Sequence, residues 1–167
     1  MRWIKEKFSG YLGRVVRLIS LMEVRKDSLR NLLKRYGLRY SAPRASILQL
    51  FREAPRHVSA ESLYLELKRR GGHLSLSTVY LNLSVLSDAG LLRKFKGVSG
   101  ETIYDSNLQP HDHLLCERSG EVVDLPEIEI NGVPLGRYLK ERIEKETGWQ
   151  VREPRLEFRG LAPEKRS

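Results

Sequence analysis

Apolar residues recur at helical spacing through the first half of the chain and in short extended runs after it. Residues 1–26 carry Trp3, Ile4, Phe8, Tyr11, Leu12, Val15, Val16 and Ile19 at roughly helical spacing, with Arg and Lys between them. This basic amphipathic extension reads as a packing helix, as a stretch outside the native protein if Met22 is the true start, or as a helix lying on a membrane or partner. From Asp27 the pattern sharpens. Leu29, Leu32, Leu33 and Tyr36 mark a first helix, and Gly37 ends it as a left-handed cap. Ser41 caps a second helix with Pro43 in its first turn and Ile47, Leu48, Leu50 and Phe51 on its apolar face. Ser59 opens a third helix (Leu63, Tyr64, Leu67) that Gly71-Gly72 stops. Ser75 opens a fourth (Val79, Leu83, Leu86) that ends at Gly90. Residues 91–96 and 102–105 then read as a hairpin around Gly97-Val-Ser-Gly100.

Helices followed by a basic hairpin predict a winged helix-turn-helix, whose last helix before the wing enters the major groove of DNA. Here that helix begins Ser75-Leu-Ser-Thr-Val-Tyr-Leu-Asn82. Ser77, Thr78, Tyr80 and Asn82 lie near its N-terminal end, within reach of phosphates or base edges. Read singly, Tyr80 could equally be a core aromatic and Ser77 a second cap. Past Asn107 the pattern changes. Residues 114–116 and 121–125 suggest a short hairpin around Gly120. Residues 134–147 suggest a helix with Leu135, Leu139 and Ile143 on one face, ended by Gly148. Residues 149–161 read as a strand that Pro154 interrupts or places at an edge. The expected class is therefore α/β. Residues 27–106 form a winged-helix DNA-binding domain and 107–161 a small α/β domain, with 162–167 as a tail. The second domain is too small to bury a generous core alone, so dimerisation through its sheet and helix is expected.

Charge supports that division. The 167 residues carry a net +9. Residues 1–26 hold 7 basic and 2 acidic side chains (+5), 27–100 hold 13 and 5 (+8), and 101–167 hold 10 and 14 (−4). A basic middle joined to an acidic end fits a polyanion-binding half and a half with another task. Arg39, Arg44, Lys94 and Lys96 lie on the elements expected to face a duplex. Cys116 is the single cysteine, which rules out an intramolecular disulfide and points to the cytoplasm. No run is apolar enough for a membrane span, and the N-terminus lacks the apolar core of a secretory signal.

The candidate chemistry lies in the histidines, His57, His73, His111 and His113. In an extended segment the imidazoles of His111-Asp-His113 share one face and can converge on one ion. Asp105 precedes them at the end of the wing and Asp124 follows on the next strand. Imidazoles with carboxylates suit Fe(II), Mn(II) or Zn(II) and poorly suit Cu(I).

Several stretches, in order, resemble the ferric uptake regulator family: Gly37-Leu-Arg-Tyr-Ser-Ala-Pro-Arg44, His57-Val-Ser-Ala-Glu-Ser-Leu-Tyr64, Ser75-Leu-Ser-Thr-Val-Tyr-Leu-Asn-Leu83, Gly90-Leu91 and His111-Asp-His-Leu-Leu-Cys-Glu-Arg-Ser-Gly-Glu-Val-Val-Asp124. The resemblance runs from about Leu29 to Leu161. It implies a homodimeric, metal-dependent repressor that binds operator DNA, with one divalent ion per protomer at His57, Asp105, His111, His113 and Asp124. His57, in the loop between the second and third helices, enters only through the resemblance. The set implies a mechanism in which a bound ion ties the DNA-binding and dimerising halves into one orientation, and DNA in turn tightens metal binding. Asp124 resembles the peroxide-responsive (PerR) branch, where iron-responsive relatives commonly carry Glu. That likeness implies sensing through metal-catalysed oxidation of His57 or His111, with Fe(II) or Mn(II) as the resident ion and Zn(II) accepted in vitro. An iron-, manganese- or zinc-uptake regulator without peroxide sensing is the alternative. A hydrolytic metalloenzyme is the alternative from a different class, and the basic winged helix argues against it.

The departures are equally specific. The family's structural zinc uses two Cys-x-x-Cys pairs. Here the first is reduced to Cys116 and Ser119, and Leu161-Ala-Pro-Glu-Lys165 stands where the second belongs, so no structural zinc held by four cysteines is expected. Leu81 replaces a common basic residue of the recognition helix and Ser41 a threonine. Pro154 stands where a second, peripheral metal site would need a histidine.

Overall fold

The computed structural model describes residues 28–163; the N-terminal extension and the end of the C-terminal tail lie outside them. The chain divides into two compact units, one of the helices up to Leu92 and one of Arg56–Ser59 with the residues from Arg93 onward.

In the first unit, local signals set the helix ends. Helix α1 covers 28–35 and closes with Gly37 at φ +71°, where a side chain would be strained, and Leu38 N–H donates to Leu33 O at 2.9 Å. Ser41 caps α2 (Ala42–Glu53), its hydroxyl accepting from Arg44 N–H at 3.3 Å. Helix α3 (Ala60–Arg69) buries Ala60, Leu63 and Leu67, one stripe of a helix. Helix α4 (Leu76–Asp88) is capped by Ser75, which accepts from Thr78 N–H at 3.2 Å. Its Val79, Leu83 and Leu86 are fully buried, and α4 packs against both α2 and α3. Each such side chain contributes about 1.5–3 kcal/mol by leaving water.

The second unit is built from short strands. β1 (His57–Ser59), β3 (Thr102–Asp105) and β2 (Arg93–Lys96) form one antiparallel sheet in that order. β2 alternates, with Arg93 and Phe95 half-buried and Lys94 and Lys96 exposed. A second sheet has the order β5 (Val122–Asp124), β4 (His113–Cys116), β8 (Glu157–Gly160); β4 runs antiparallel to β5 and parallel to β8. A small hairpin, β6 (Glu129–Ile130) and β7 (Val133–Pro134), turns at Asn131-Gly132. Both turn residues have positive φ, 54° and 75°, as a primed two-residue turn requires. Helix α5 (Leu135–Thr147) follows and ends on left-handed Gly148.

Three features differ from the expectations. The segment between α2 and α3 that holds His57 does not remain a loop; it includes strand β1, which pairs with β3. The β6–β7 hairpin was not expected. The strand expected over 149–161 is confined to Glu157–Gly160. Residues ahead of it are held by α5 instead: Val151 N–H donates to Glu144 Oε1 at 2.8 Å, and the Lys140 amine donates to the Val151 carbonyl. Pro154 has no N–H to give a ladder. Compactness also groups the wing strands with the residues that follow them, whereas the change of sequence pattern falls near 106.

Candidate metal centre

The two sheets of the second unit supply the site through their registers. His57 lies directly opposite Asp105 across β1 and β3, and His113 directly opposite Asp124 across β4 and β5. Directly opposed residues place their side chains side by side, so each pairing sets an imidazole beside a carboxylate. His111, two residues before His113, adds a third imidazole, as the shared face of an extended segment predicts.

All three imidazoles turn Nε2 inward. Asp124 Oδ1 lies 2.8 Å from His57 Nε2, 3.2 Å from His111 Nε2 and 3.8 Å from His113 Nε2. Asp105 Oδ2 lies 3.1 Å from His111 Nε2 and 3.9 Å from His113 Nε2. One donor atom from each of His57, His111, His113 and Asp124 fits within a mutual 4.8 Å, and the buried Asp105 lies outside that set but against His111. His111 Nδ1 is 2.7 Å from the Gln109 carbonyl, so this nitrogen carries the proton and Nε2 keeps its lone pair for the centre. Phe95 stacks on the His113 ring at 4.3 Å between centroids and shields one face of the cluster.

The donor set fits a divalent cation. His57 Nε2, Asp105 Oδ2 and Asp124 Oδ1 are buried without a hydrogen bond, an arrangement that is costly unless something else satisfies them. His111 Nε2 and His113 Nε2 stand 2.8 Å apart, hydrogen-bonded to each other beside the carboxylates. A cation would answer His57, His111, His113 and Asp124 together, with Asp105 beside them. Burial, reinforced by the neighbouring His111 and His57, lowers the proton affinity of His113 to about 4 and keeps it a neutral ligand near neutral pH. Burial raises Asp105 above the ordinary carboxylate range against the opposing Asn107 N–H and imidazoles. At Asp124 burial also pushes upward, but the Asn107 amide and the three imidazoles outweigh it and the net shift is downward.

Sequence reasoning missed the residue that holds the two carboxylates. Asn107 N–H donates to Asp105 Oδ1 at 2.7 Å, and Asn107 Nδ2 donates to Asp124 Oδ2 at 3.0 Å. Asp112, between the two histidines, has a structural role: its Oδ1 accepts from Leu156 N–H at 2.9 Å and ties β4 to the approach of β8. Cys116 is buried, and its sulfur accepts from Ala162 N–H at 3.3 Å. The Ser119 hydroxyl and the N–H groups of Ala162 and Ser119 draw its thiol down to about 7. It stands outside the histidine cluster.

The residues expected at DNA fall into two groups. Ser77 and Tyr80 are exposed on α4 and Thr78 is half-exposed; Arg39 is exposed after α1, and Lys94 and Lys96 are exposed on β2. The Tyr80 hydroxyl donates to Glu61 of α3, and the Arg44 guanidinium donates to the Arg39 carbonyl. Asn82 is a correction. It is only 5% exposed, and its amide donates to the Thr78 carbonyl at 2.8 Å, so it faces the helical core rather than DNA. Leu81, where a basic residue is common, is 65% exposed. Among the described residues, no helix is long and apolar enough to cross a membrane.

Comparison with known proteins gives one family. The model of the ferric uptake regulator family matches residues 35–159. The ferric uptake regulation protein of Neisseria gonorrhoeae is 32% identical over 133 residues, covering 77% of this chain and 87% of that protein. The crystal structure of the Vibrio cholerae ferric uptake regulator superposes with a TM-score of 0.67 at 29% identity, covering 80% of this chain and 98% of that one. The Pseudomonas aeruginosa regulator solved with manganese gives 0.62 at 30% identity, over 80% and 96%. The chain therefore belongs to the ferric uptake regulator family: it is a metal-responsive transcription regulator with a winged-helix DNA-binding domain and a small α/β domain, and not an enzyme.

Proposed function

We propose that the protein is a homodimeric repressor that grips operator DNA when each protomer holds one Fe(II) or Mn(II) ion at His57, Asp105, His111, His113 and Asp124. The observation that carries this reading is the convergence of three inward Nε2 atoms on a buried carboxylate, Asp105, and a half-buried one, Asp124, with three of these atoms lacking any hydrogen bond. No thiolate joins that set, which favours Fe(II) or Mn(II) over Zn(II). Connectivity supports the switch. β1 runs from His57 to Ser59 and α3 begins at Ala60, so ligation of His57 acts on the segment that leads straight into a helix packed on α4. Arg39, Arg44, Lys94 and Lys96 supply phosphate contacts in this reading, and Ser77, Thr78 and Tyr80 lie on the reading helix.

The dimer in this reading forms through the second unit. Val123, Leu114 and Phe158 lie side by side across β5, β4 and β8, and all three are exposed apolar residues. Helix α5 buries none of its residues in the single chain and exposes Tyr138 and Ile143. A second copy would cover these surfaces.

The finer reading is that the iron form senses peroxide. Fe(II) held there would catalyse cleavage of the peroxide O–O bond; in the net change peroxide would pass one oxygen atom to a ring, which loses two electrons, and leave as water. His57 and His111, whose ring nitrogens face the centre, are the side chains that would take up an oxygen atom and lose their hold. Mn(II) is far less reactive and would keep the protein on DNA. The relatives named as ferric uptake regulators favour the second reading, metal-dependent regulation without peroxide sensing. Peroxide treatment followed by peptide mass spectrometry separates them. A one-oxygen gain on His57 or His111 in the iron form, absent from the manganese form, supports peroxide sensing. Release from DNA that tracks Cys116 oxidation and vanishes in Cys116→Ser contradicts the iron-centred mechanism.

A further inference from the structure

Asp105 and Asp124 each have two oxygens, and in each one oxygen is taken by the same residue. Asn107 N–H holds Asp105 Oδ1 at 2.7 Å, and Asn107 Nδ2 holds Asp124 Oδ2 at 3.0 Å. The oxygens left over, Asp105 Oδ2 and Asp124 Oδ1, turn to His111 at 3.1 and 3.2 Å and have no hydrogen bond, while the held Asp105 Oδ1 stands 3.6 Å from His57 Nε2. The orientation of the Asn107 amide is fixed from its other side. Its Oδ1 accepts from Gln109 N–H at 3.2 Å, which leaves Nδ2 as the group facing Asp124. Gln109 in turn offers its carbonyl to His111 Nδ1 at 2.7 Å. One short turn between β3 and β4 thus orients two carboxylates and one imidazole.

We propose that Asn107 is a specificity-determining positioning residue: it presents a single oxygen from each of Asp105 and Asp124, so that the centre offers five one-atom donors. This rests on the reading of the cluster as a metal centre. A carboxylate whose second oxygen is free can swing to offer both oxygens, as sites for larger, oxygen-seeking cations such as calcium do. With its second oxygen held, it offers one. Outer partners of this kind fix ligand orientation and commonly change metal affinity by about 10–100-fold when removed.

The test uses Co(II) as the probe in the full-length protein, with affinity and visible absorption read in the same titration. The variants are Asn107→Ala, Asn107→Ser and, as control, His113→Ala. Asn107→Ser keeps an oxygen able to accept from Gln109 N–H but is too short to reach Asp124, so it separates loss of the turn from loss of the carboxylate restraint. The expected result is Co(II) affinity at least about tenfold weaker in both Asn107 variants, with weaker visible bands as Asp124 takes up two-oxygen ligation. An Asn107→Ser variant with wild-type affinity and spectrum overturns the proposal, whatever Asn107→Ala does. If wild-type protein shows no Co(II) bands, or His113→Ala leaves them unchanged, the metal-centre reading itself fails, and the proposal with it.

Discussion

The two units of this chain bury different things. In the helical unit, α1 to α4 close a core of Leu33, Ile47, Leu48, Leu50, Leu63, Val79, Leu83 and Leu86, all nearly free of solvent. The helix starts of α2 and α4 are capped by serine side chains. In the strand unit the buried hydrophobic residues among those described are Ile103, Tyr104, Leu115 and Cys116, and a carboxylate, Asp105, is buried with them at 1% exposure. Leu114, Val123, Ile128, Ile143, Trp149 and Phe158 remain exposed. The first unit closes an apolar core by packing, with Leu65 and Leu81 left exposed and Arg44 Nε buried without a hydrogen bond. The second holds unpartnered polar atoms at its cluster and an exposed apolar row on its sheet, which the proposed function would answer with a cation and a second copy. A unit built that way is well suited to respond to what it binds.

The comparison breaks first at the ligands. Replacing His113 by Ala should weaken Mn(II) binding by about a hundredfold or more, a loss of about 2.7 kcal/mol or more, while leaving the dimer and the helical unit folded. Calorimetric titration with circular dichroism on the same sample reads both. Loss of helical signal together with metal binding would mean that the two units are not separable in this way.

The next largest effect is expected at the apolar face. Phe158→Asp places a charge in the Val123–Leu114–Phe158 row. Truncating or charging a central interface residue commonly costs about 2–4 kcal/mol, so sedimentation should show monomer at micromolar concentration. The Phe158 face is no dimer surface if that variant sediments as wild type.

The pH response of metal-free protein sharpens the account of the interior. His113 binds a proton near 6.5 when unfolded and near 4 when folded, because burial and its two imidazole neighbours oppose the charge. Between those values the unfolded state holds more protons, so stability present above pH 6.5 declines as the pH falls toward 4, by on the order of 3 kcal/mol at most. Asp105, raised by burial, opposes this at the acid end, because its folded form takes up a proton first. Asp124, lowered, adds to the loss below its ordinary value of 3.8. Urea unfolding across pH 4 to 7 measures the slope, and His113→Asn should flatten it. A slope that survives that substitution must come from another group.

The smallest effect belongs to the helical unit. Ser75→Ala removes the hydroxyl that accepts from Thr78 N–H and should lower stability by about 1 kcal/mol. Metal affinity, measured in the strand unit, should not change. A change in both would show that the units are coupled even without DNA.

What could be read from the sequence follows the same division. Ser41, Ser75 and Gly37 announced helix ends because caps are local chemistry, decided by residues a turn apart. The four-helix order and the wing were legible for that reason. β1 was not, because His57–Ser59 is too short to show alternation and exists only by pairing with the distant β3. That pairing is what brings His57 to Asp105, so the resemblance to a family supplied a residue that periodicity could not. The spacing of His111 and His113 predicted only that their rings share one face, and their Nε2 atoms do meet at 2.8 Å. Asn107 was invisible, since an asparagine in a turn looks the same whether it holds a ligand or only the turn. Asn82 was misread because the sequence does not show a side chain bonding back to the carbonyl one turn earlier.

The central claim is that occupancy of the His57–Asp105–His111–His113–Asp124 cluster controls DNA binding. Operator affinity measured by fluorescence anisotropy across free Mn(II) concentrations tests it most directly, in wild type and in His57→Ala. His57 is the ligand adjoining α3, so its loss should uncouple metal from DNA. In wild type, Mn(II) should raise operator affinity by at least about fivefold, and operator should raise Mn(II) affinity by the same factor, since coupling is reciprocal. In His57→Ala both gains should vanish. Operator affinity that is the same with and without Mn(II) in wild type, or an undiminished Mn(II) effect in His57→Ala, would contradict the account.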